Sequence, residues 1–140
     1  MLYKPVVYVT RSLPVPGPTL LSKYCHIDMN DSVIPISKRQ MIEKAKEVDA
    51  IVCMLGDKID SEVIYSAGNR LKLISCYSAG YDHVDLEAAT NKEIVVTNTP
   101  DILSETTADL TFALIFAVSR NVVKGDYYVK NGQMEIWVDA

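Results

Sequence analysis

The chain has 140 residues, enough for one domain, and its 49% hydrophobic content suffices to fill a single core, which excludes a disordered chain. A formal net charge of -4, with no dense cluster of Lys and Arg, excludes a basic nucleic-acid footprint and points to small molecules or other proteins as partners. The amino-terminal residues lead straight into Val6-Val7-Tyr8-Val9, too short and β-branched for a signal segment, and Leu110 to Val118 is too short to cross a membrane.

Short apolar runs alternate with segments of helical period, the signature of βαβ units and a parallel sheet buried on both faces. In chain order the spacing predicts a strand at 6–10, a stiff Pro14-Val15-Pro16-Gly17-Pro18 loop, a helix over 18–24, and a strand at 25–29. A helix over 38–47 follows, with Ser37 as its N-cap, then a strand at 50–55, a helix over 61–67 stopped by Gly68-Asn69, and a strand at 71–77. Asp85 caps a helix over 86–91 that ends at Asn91-Lys92, and a strand at 94–97 completes the set. Five such strands predict a flavodoxin-like, doubly wound parallel sheet in three layers. From Ser104 a long helix follows whose apolar residues, widened by Phe112, Ile115 and Phe116, cover most of its circumference. A helix of that kind is either central to the fold or built to pack against something outside the chain.

Ligands in open α/β sheets bind beyond the carboxyl ends of the strands. Here those ends carry Thr10-Arg11-Ser12, Leu55-Gly56-Asp57, Tyr77-Ser78-Ala79-Gly80 and Thr97-Asn98-Thr99. The second and third suit a shared pocket: Gly56 offers no side chain to block a ligand, and the successive amides of Ala79 and Gly80 suit a small anion-binding nest for a carboxylate. The plainer reading is that both glycines only shape tight strand exits. Arg11 is read either as an anion attractor or as a solvated loop residue. Asp82 and Asp85 are read as helix-capping residues rather than an acid/base pair, and His83, with no partner of clear role, as a surface residue. Cys25, Cys53 and Cys76 form no CxxC pair; Cys53 and Cys76 fall in buried strands, which fits packed thiols in a reducing compartment. No metal site is expected.

Three segments together, Ser78-Ala79-Gly80-Tyr81-Asp82, Val95-Val96-Thr97-Asn98-Thr99-Pro100-Asp101 and Thr107-Ala108-Asp109, resemble the D-2-hydroxyacid dehydrogenase family, in particular its glyoxylate and hydroxypyruvate reductase branch. The resemblance extends over nearly the whole chain. It implies that Leu55, Gly56, Ser78, Ala79 and Gly80 contact the substrate, the loop Ser78-Ala79-Gly80 presenting amides to its carboxylate and Leu55-Gly56 lining the other wall, and that Thr107 in the first turn of the long helix faces a nicotinamide cofactor, NAD or NADP; Thr106 or Thr107 capping that helix with Ser104 is the competing reading. Two departures stand out, Ala79 where the family often has Val and Gly56 where it commonly has Ser, which imply a roomier pocket lacking one hydroxyl. The resemblance divides the chain into a substrate-binding domain over 1–103 and an interdomain or dimerisation helix and arm over 104–140, with Trp137 matching an arm that reaches across a dimer.

The sequence contains no G-x-G, so the family's dinucleotide-binding Rossmann domain is absent from it, and the family's catalytic Arg, Glu and His match nothing here. The expectation is therefore the substrate-binding portion of a cytoplasmic NAD(P)H-dependent oxidoreductase acting on a small 2-oxo or 2-hydroxy acid. This portion is expected to be inactive alone, to bind no cofactor by itself, to have no nucleic-acid or membrane partner, and to form a homo-oligomer through the last helix. The alternative is a non-enzymatic interaction domain that uses the apolar helix over 107–118. A receiver domain and a flavodoxin are set aside: the first lacks the acidic pair after strand one and the Lys after strand five, the second a Ser/Thr/Gly-rich phosphate loop.

Overall fold

The computed structural model describes residues 3–133, which divide into two compact units, one ending at Pro100 and the other beginning at Asp101. The first unit holds β1 (Val6–Val9), α1 (Gly17–Leu21), β2 (His26–Met29), α2 (Lys38–Glu47), β3 (Ala50–Cys53), α3 (Ser61–Ser66), β4 (Leu73–Cys76), α4 (Leu86–Asn91) and β5 (Val95–Thr97). All four strand pairs are parallel and the order is β2-β1-β3-β4-β5, the predicted flavodoxin-like arrangement. Right-handed crossovers in this order send α1 to one face and α2, α3 and α4 to the other. The main core lies under those three helices: Tyr8, Ile51, Cys53, Ile74 and Cys76 from the sheet meet Met41, Ala45, Val63, Ile64, Ala88 and Ala89.

Capping explains where the helices begin. Ser37 accepts from the Gln40 amide while the Gln40 side chain accepts from the Ser37 amide, a full capping box, and Asp60 and Asp85 accept from the amides of Val63 and Ala88. The stops after α3 and α4 fall where expected and are built differently. Gly68 is needed for closeness rather than for a left-handed turn, since a Cβ there would stand 2.3 Å from the Lys46 carbonyl oxygen, where α2 and α3 end together. At α4 the left-handed residue is Glu93, with φ 56; its amide and that of Ile94 donate to the carbonyls of Thr90 and Ala89 and close a Schellman motif.

The amino end of the sheet is pinned by Asp49, just before β3. Its carboxylate accepts from the Val6 amide at 2.7 Å, the Tyr3 hydroxyl at 2.6 Å and Arg70 Nη2 at 2.9 Å. These partners, Arg70 above all, lower its pKa to about 2.

The second unit holds α5 (Ser104–Ser119) and α6 (Val122–Lys130), separated by Asn121 in a left-handed conformation. α6 falls in the predicted arm. Helix α5 buries none of its residues, and Leu110, Phe112, Leu114, Ile115, Phe116 and Val118 are each more than half exposed. No described helix is long and apolar enough to cross a membrane. Trp137 lies outside the described residues.

Because the folded pKa of Asp49 lies below the ordinary carboxylate value of about 3.9, its stabilisation is complete above that value and is lost as the pH falls toward about 2. The urea midpoint of the wild type is expected to drop between about pH 6 and about pH 2.5 by more than that of Asp49→Asn. An equal drop in both would show that Asp49 does not carry this linkage.

Candidate functional site

At the end of β3 the chain turns through Met54, Leu55, Gly56 and Asp57. The Asp57 amide donates to the Met54 carbonyl at 3.1 Å, and Gly56 takes φ 91, the third-position conformation of a type II turn. The plainer reading of Gly56 thus holds in part: the backbone itself asks for glycine, and a Ser there would be strained. The Asp57 side chain, 1% exposed, fastens the turn from beneath. Its Oδ2 accepts from Thr10 Oγ1 at 2.5 Å and from the Met54 amide at 2.8 Å, and its Oδ1 accepts from Arg11 Nη2 at 2.8 Å. The same Arg11 nitrogen donates to the Leu55 carbonyl at 3.3 Å. Arg11 is therefore neither a free anion attractor nor a solvated loop residue, because its charge is matched by a buried carboxylate. Its Nε is buried with no acceptor among the described residues.

The end of β4 is built differently. The Ser78 hydroxyl donates to the Gly80 carbonyl at 2.6 Å, the Thr99 amide donates to the Ser78 carbonyl at 2.9 Å, and Asn98 Nδ2 donates to the Ala79 carbonyl at 2.7 Å. All three carbonyls of Ser78-Ala79-Gly80 are thus engaged, while among the described residues their three amides have no acceptor. Peptide groups held in that sense offer donors to a small anion. Gly80 does not have a positive φ, so the amides at 79–80 are oriented through their engaged carbonyls and not by a left-handed residue. A Cβ on Gly80 would meet only Asp82 Oδ2, at 3.5 Å, so packing does not require glycine there.

The sheet brings the two exits together. Cys53 and Cys76 are register partners, the Tyr77 amide donates to the Cys53 carbonyl at 2.8 Å, and a bridge between Ile59 and Val84 rejoins the chain beyond both turns. Four of the five expected substrate residues, Leu55, Gly56, Ala79 and Gly80, are at least partly accessible on these adjoining loops; Ser78 is buried and its hydroxyl is spent within its own loop. On the sheet face that carries α1, a cavity of ≈ 370 Å³ is lined by Pro14, Pro16, Leu20, Val52, Tyr77 and Thr99 among others.

Three readings need correction. Thr107 caps nothing: α5 starts at Ser104 behind Leu103, no side chain caps it, and the Thr107 amide already donates to the Leu103 carbonyl inside the helix. Thr106 likewise donates backwards, to the Leu103 carbonyl, which leaves the cofactor role of Thr107 as a proposal. His83 is not a surface residue: it is half-buried, and its Nε2 lies 3.5 Å from Cys53 Sγ. Asp57, which organises the β3 turn, was not among the expected site residues. The available signal was the coincidence of Thr10-Arg11 and Gly56-Asp57 at two strand exits, and only the pairing of β1 with β3 makes it legible.

Residues 7–137 match the family model described as D-isomer specific 2-hydroxyacid dehydrogenase, catalytic domain. The chain belongs to this family. A glyoxylate reductase of Pyrococcus furiosus is 43% identical over 130 residues, covering 93% of this chain and 38% of that protein. A Thermus thermophilus protein of solved structure superposes with a TM-score of 0.82 at 39% identity, over 95% of this chain and 42% of its own. D-lactate dehydrogenase from Aquifex aeolicus, solved with NAD and lactic acid, superposes with a TM-score of 0.73 at 26% identity, over 96% of this chain and 39% of its own. The chain thus spans about two-fifths of the length of the relatives it matches.

Proposed function

We propose that the exits of β3 and β4 form the carboxylate-binding part of an NAD(P)H-dependent reductase that acts on glyoxylate, hydroxypyruvate or a similar small 2-oxo acid. The observation that carries this reading is the loop Ser78-Ala79-Gly80, whose carbonyls are all engaged and whose amides are free among the described residues. A carboxylate seated there accepts from the amides of Ala79 and Gly80, with Leu55 and Gly56 as the facing wall. Charge-assisted bonds to backbone amides orient the acid so that its 2-oxo carbon points away from the loop. Glycine at position 80 lets the ligand approach the backbone closely.

The 140 residues hold no G-x-G and so do not offer the turn that a dinucleotide pyrophosphate needs; no hydride step is derived from them. In a reductase of this kind NAD or NADP would supply the hydride, and Thr107 at the start of α5 is the residue of this chain that would face it. Three free thiols, two of them buried, favour the cytoplasm. The exposed apolar residues of α5 favour a homo-oligomer joined through that helix, and the same exposure supports the second reading, a protein-interaction domain. Light scattering is expected to report a dimer or larger, and a well-behaved monomer would remove both uses of the helix.

A ligand held only by the loops after β3 and β4 stays wet, so the purified chain is expected to bind oxalate only weakly, with Kd on the order of 1 mM, and to reduce no glyoxylate with NADH or NADPH. Gly80→Ala is expected to weaken oxalate binding about tenfold with an unchanged melting temperature, since the added methyl meets the ligand and not the fold. Equal binding by wild type and variant, or turnover by the chain alone, would contradict the reading.

A further inference from the structure

Beneath the two exits lies a cluster that the carboxylate site does not use. Cys53 ends β3, Cys76 ends β4, and His83 stands in the segment that returns from Gly80 to α4. The two sulfurs are 3.8 Å apart, His83 Nε2 is 3.5 Å from Cys53 Sγ, and the ligand atoms of all three residues lie within 4.8 Å of one another. A tetrahedral zinc ion with Zn–S near 2.3 Å and Zn–N near 2.0–2.1 Å has S···S edges of about 3.8 Å and S···N edges of about 3.5 Å. Two of the three edges thus already have the length of a zinc tetrahedron. The third needs a movement on the order of 1 Å at most, which a swing of the imidazole provides.

The geometry points to a binding site for a thiophilic d¹⁰ cation of the zinc class, held by Cys53 Sγ, Cys76 Sγ and His83 Nε2. The donor set is soft, and two thiolates with one neutral imidazole balance a divalent charge. Cys53 and Cys76 are 0% and 1% exposed, which keeps competing water away, and the half-buried His83 supplies the way in. Burial raises the pKa of both thiols, so an ion entering displaces two thiol protons to solvent and the sulfurs become its ligands. The remaining ring nitrogen, His83 Nδ1, is buried with no partner among the described residues, so no hydrogen bond holds the ring away from the sulfurs. A disulfide is the poorer use of this pair, since the sulfurs would have to close from 3.8 Å to about 2.05 Å and an oxidant would be needed. An ion bound here ties together the ends of β3 and β4, which lead into Leu55-Gly56 and Ala79-Gly80, and the segment after Gly80. The inference does not rest on the proposed function, and its test uses no substrate.

The reduced, metal-free chain is titrated with Cd²⁺ and Co²⁺ while the thiolate-to-metal charge-transfer band is followed, and Zn²⁺ affinity is measured against a chromophoric chelator. One equivalent is expected to bind, with the band abolished in Cys53→Ser and Cys76→Ser and unchanged in Cys25→Ser. His83→Gln, outside the strands, is expected to fold normally by circular dichroism and to weaken Zn²⁺ binding at least about tenfold. The assignment is overturned if the wild type shows no charge-transfer band, if the band depends on Cys25, or if folded His83→Gln binds as tightly as the wild type.

Discussion

The carboxyl end of this sheet depends on one buried carboxylate. Asp57 is almost wholly removed from water, and such a charge persists only where hydrogen bonds and a counter-charge replace its hydration, a loss worth several kcal/mol per ion. Here the replacements come from three directions: the Thr10 hydroxyl and the Arg11 guanidinium at the exit of β1, and the Met54 amide at the exit of β3. The arrangement therefore does more than satisfy Asp57. It fixes the turn containing Gly56 and draws Arg11 onto the Leu55 carbonyl, and in the proposed site this turn is the wall facing the amides of Ala79 and Gly80.

The two ends of the sheet use charge differently. At the amino end Asp49 ties Tyr3, the first residue of β1 and Arg70 together. At the carboxyl end the charges are spent on shape, and the donors left over belong to the backbone. A site made of peptide amides suits a small carboxylate because it binds without the desolvation cost of a second buried charge. The two thiols and the imidazole under the same loops add a soft donor set to an otherwise hard, amide-lined site.

Local chemistry made much of this legible in the sequence. Ser37 and Asp85 announced α2 and α4 to the residue, because capping is decided within one turn of chain. The five strands were visible as short apolar runs, although each proved one to three residues shorter than its run: β1 and β3 end early, where the chain bends into the loops at the carboxyl end, β2 and β5 begin one residue late, and β4 is trimmed at both ends. Long-range relations were not visible. Gly68 reads as a helix stop, yet its reason is the Lys46 carbonyl more than twenty residues back. Glu93 gives no sign of the left-handed conformation it adopts, and His83 meets Cys53 only because β3 and β4 pair in register. Gly56, Ala79 and Gly80 were legible as a pocket at two strand ends, the family resemblance added Leu55 and Ser78, and what the fold adds is the strand pairing that makes the two exits adjoin.

The central claim is that the amides freed at the β4 exit, facing the turn that Asp57 holds, are where a small carboxylate binds. Amide-resolved NMR during a titration with oxamate, a non-reacting analogue of a 2-oxo acid, tests it most directly. The account predicts saturating shifts confined to the amides of Leu55, Gly56, Ala79, Gly80 and their immediate neighbours, with the amides of β1 and β2 at the amino end unmoved. Shifts centred on the Asp49 end of the sheet, or none at the Ala79 and Gly80 amides at saturating oxamate, would contradict it.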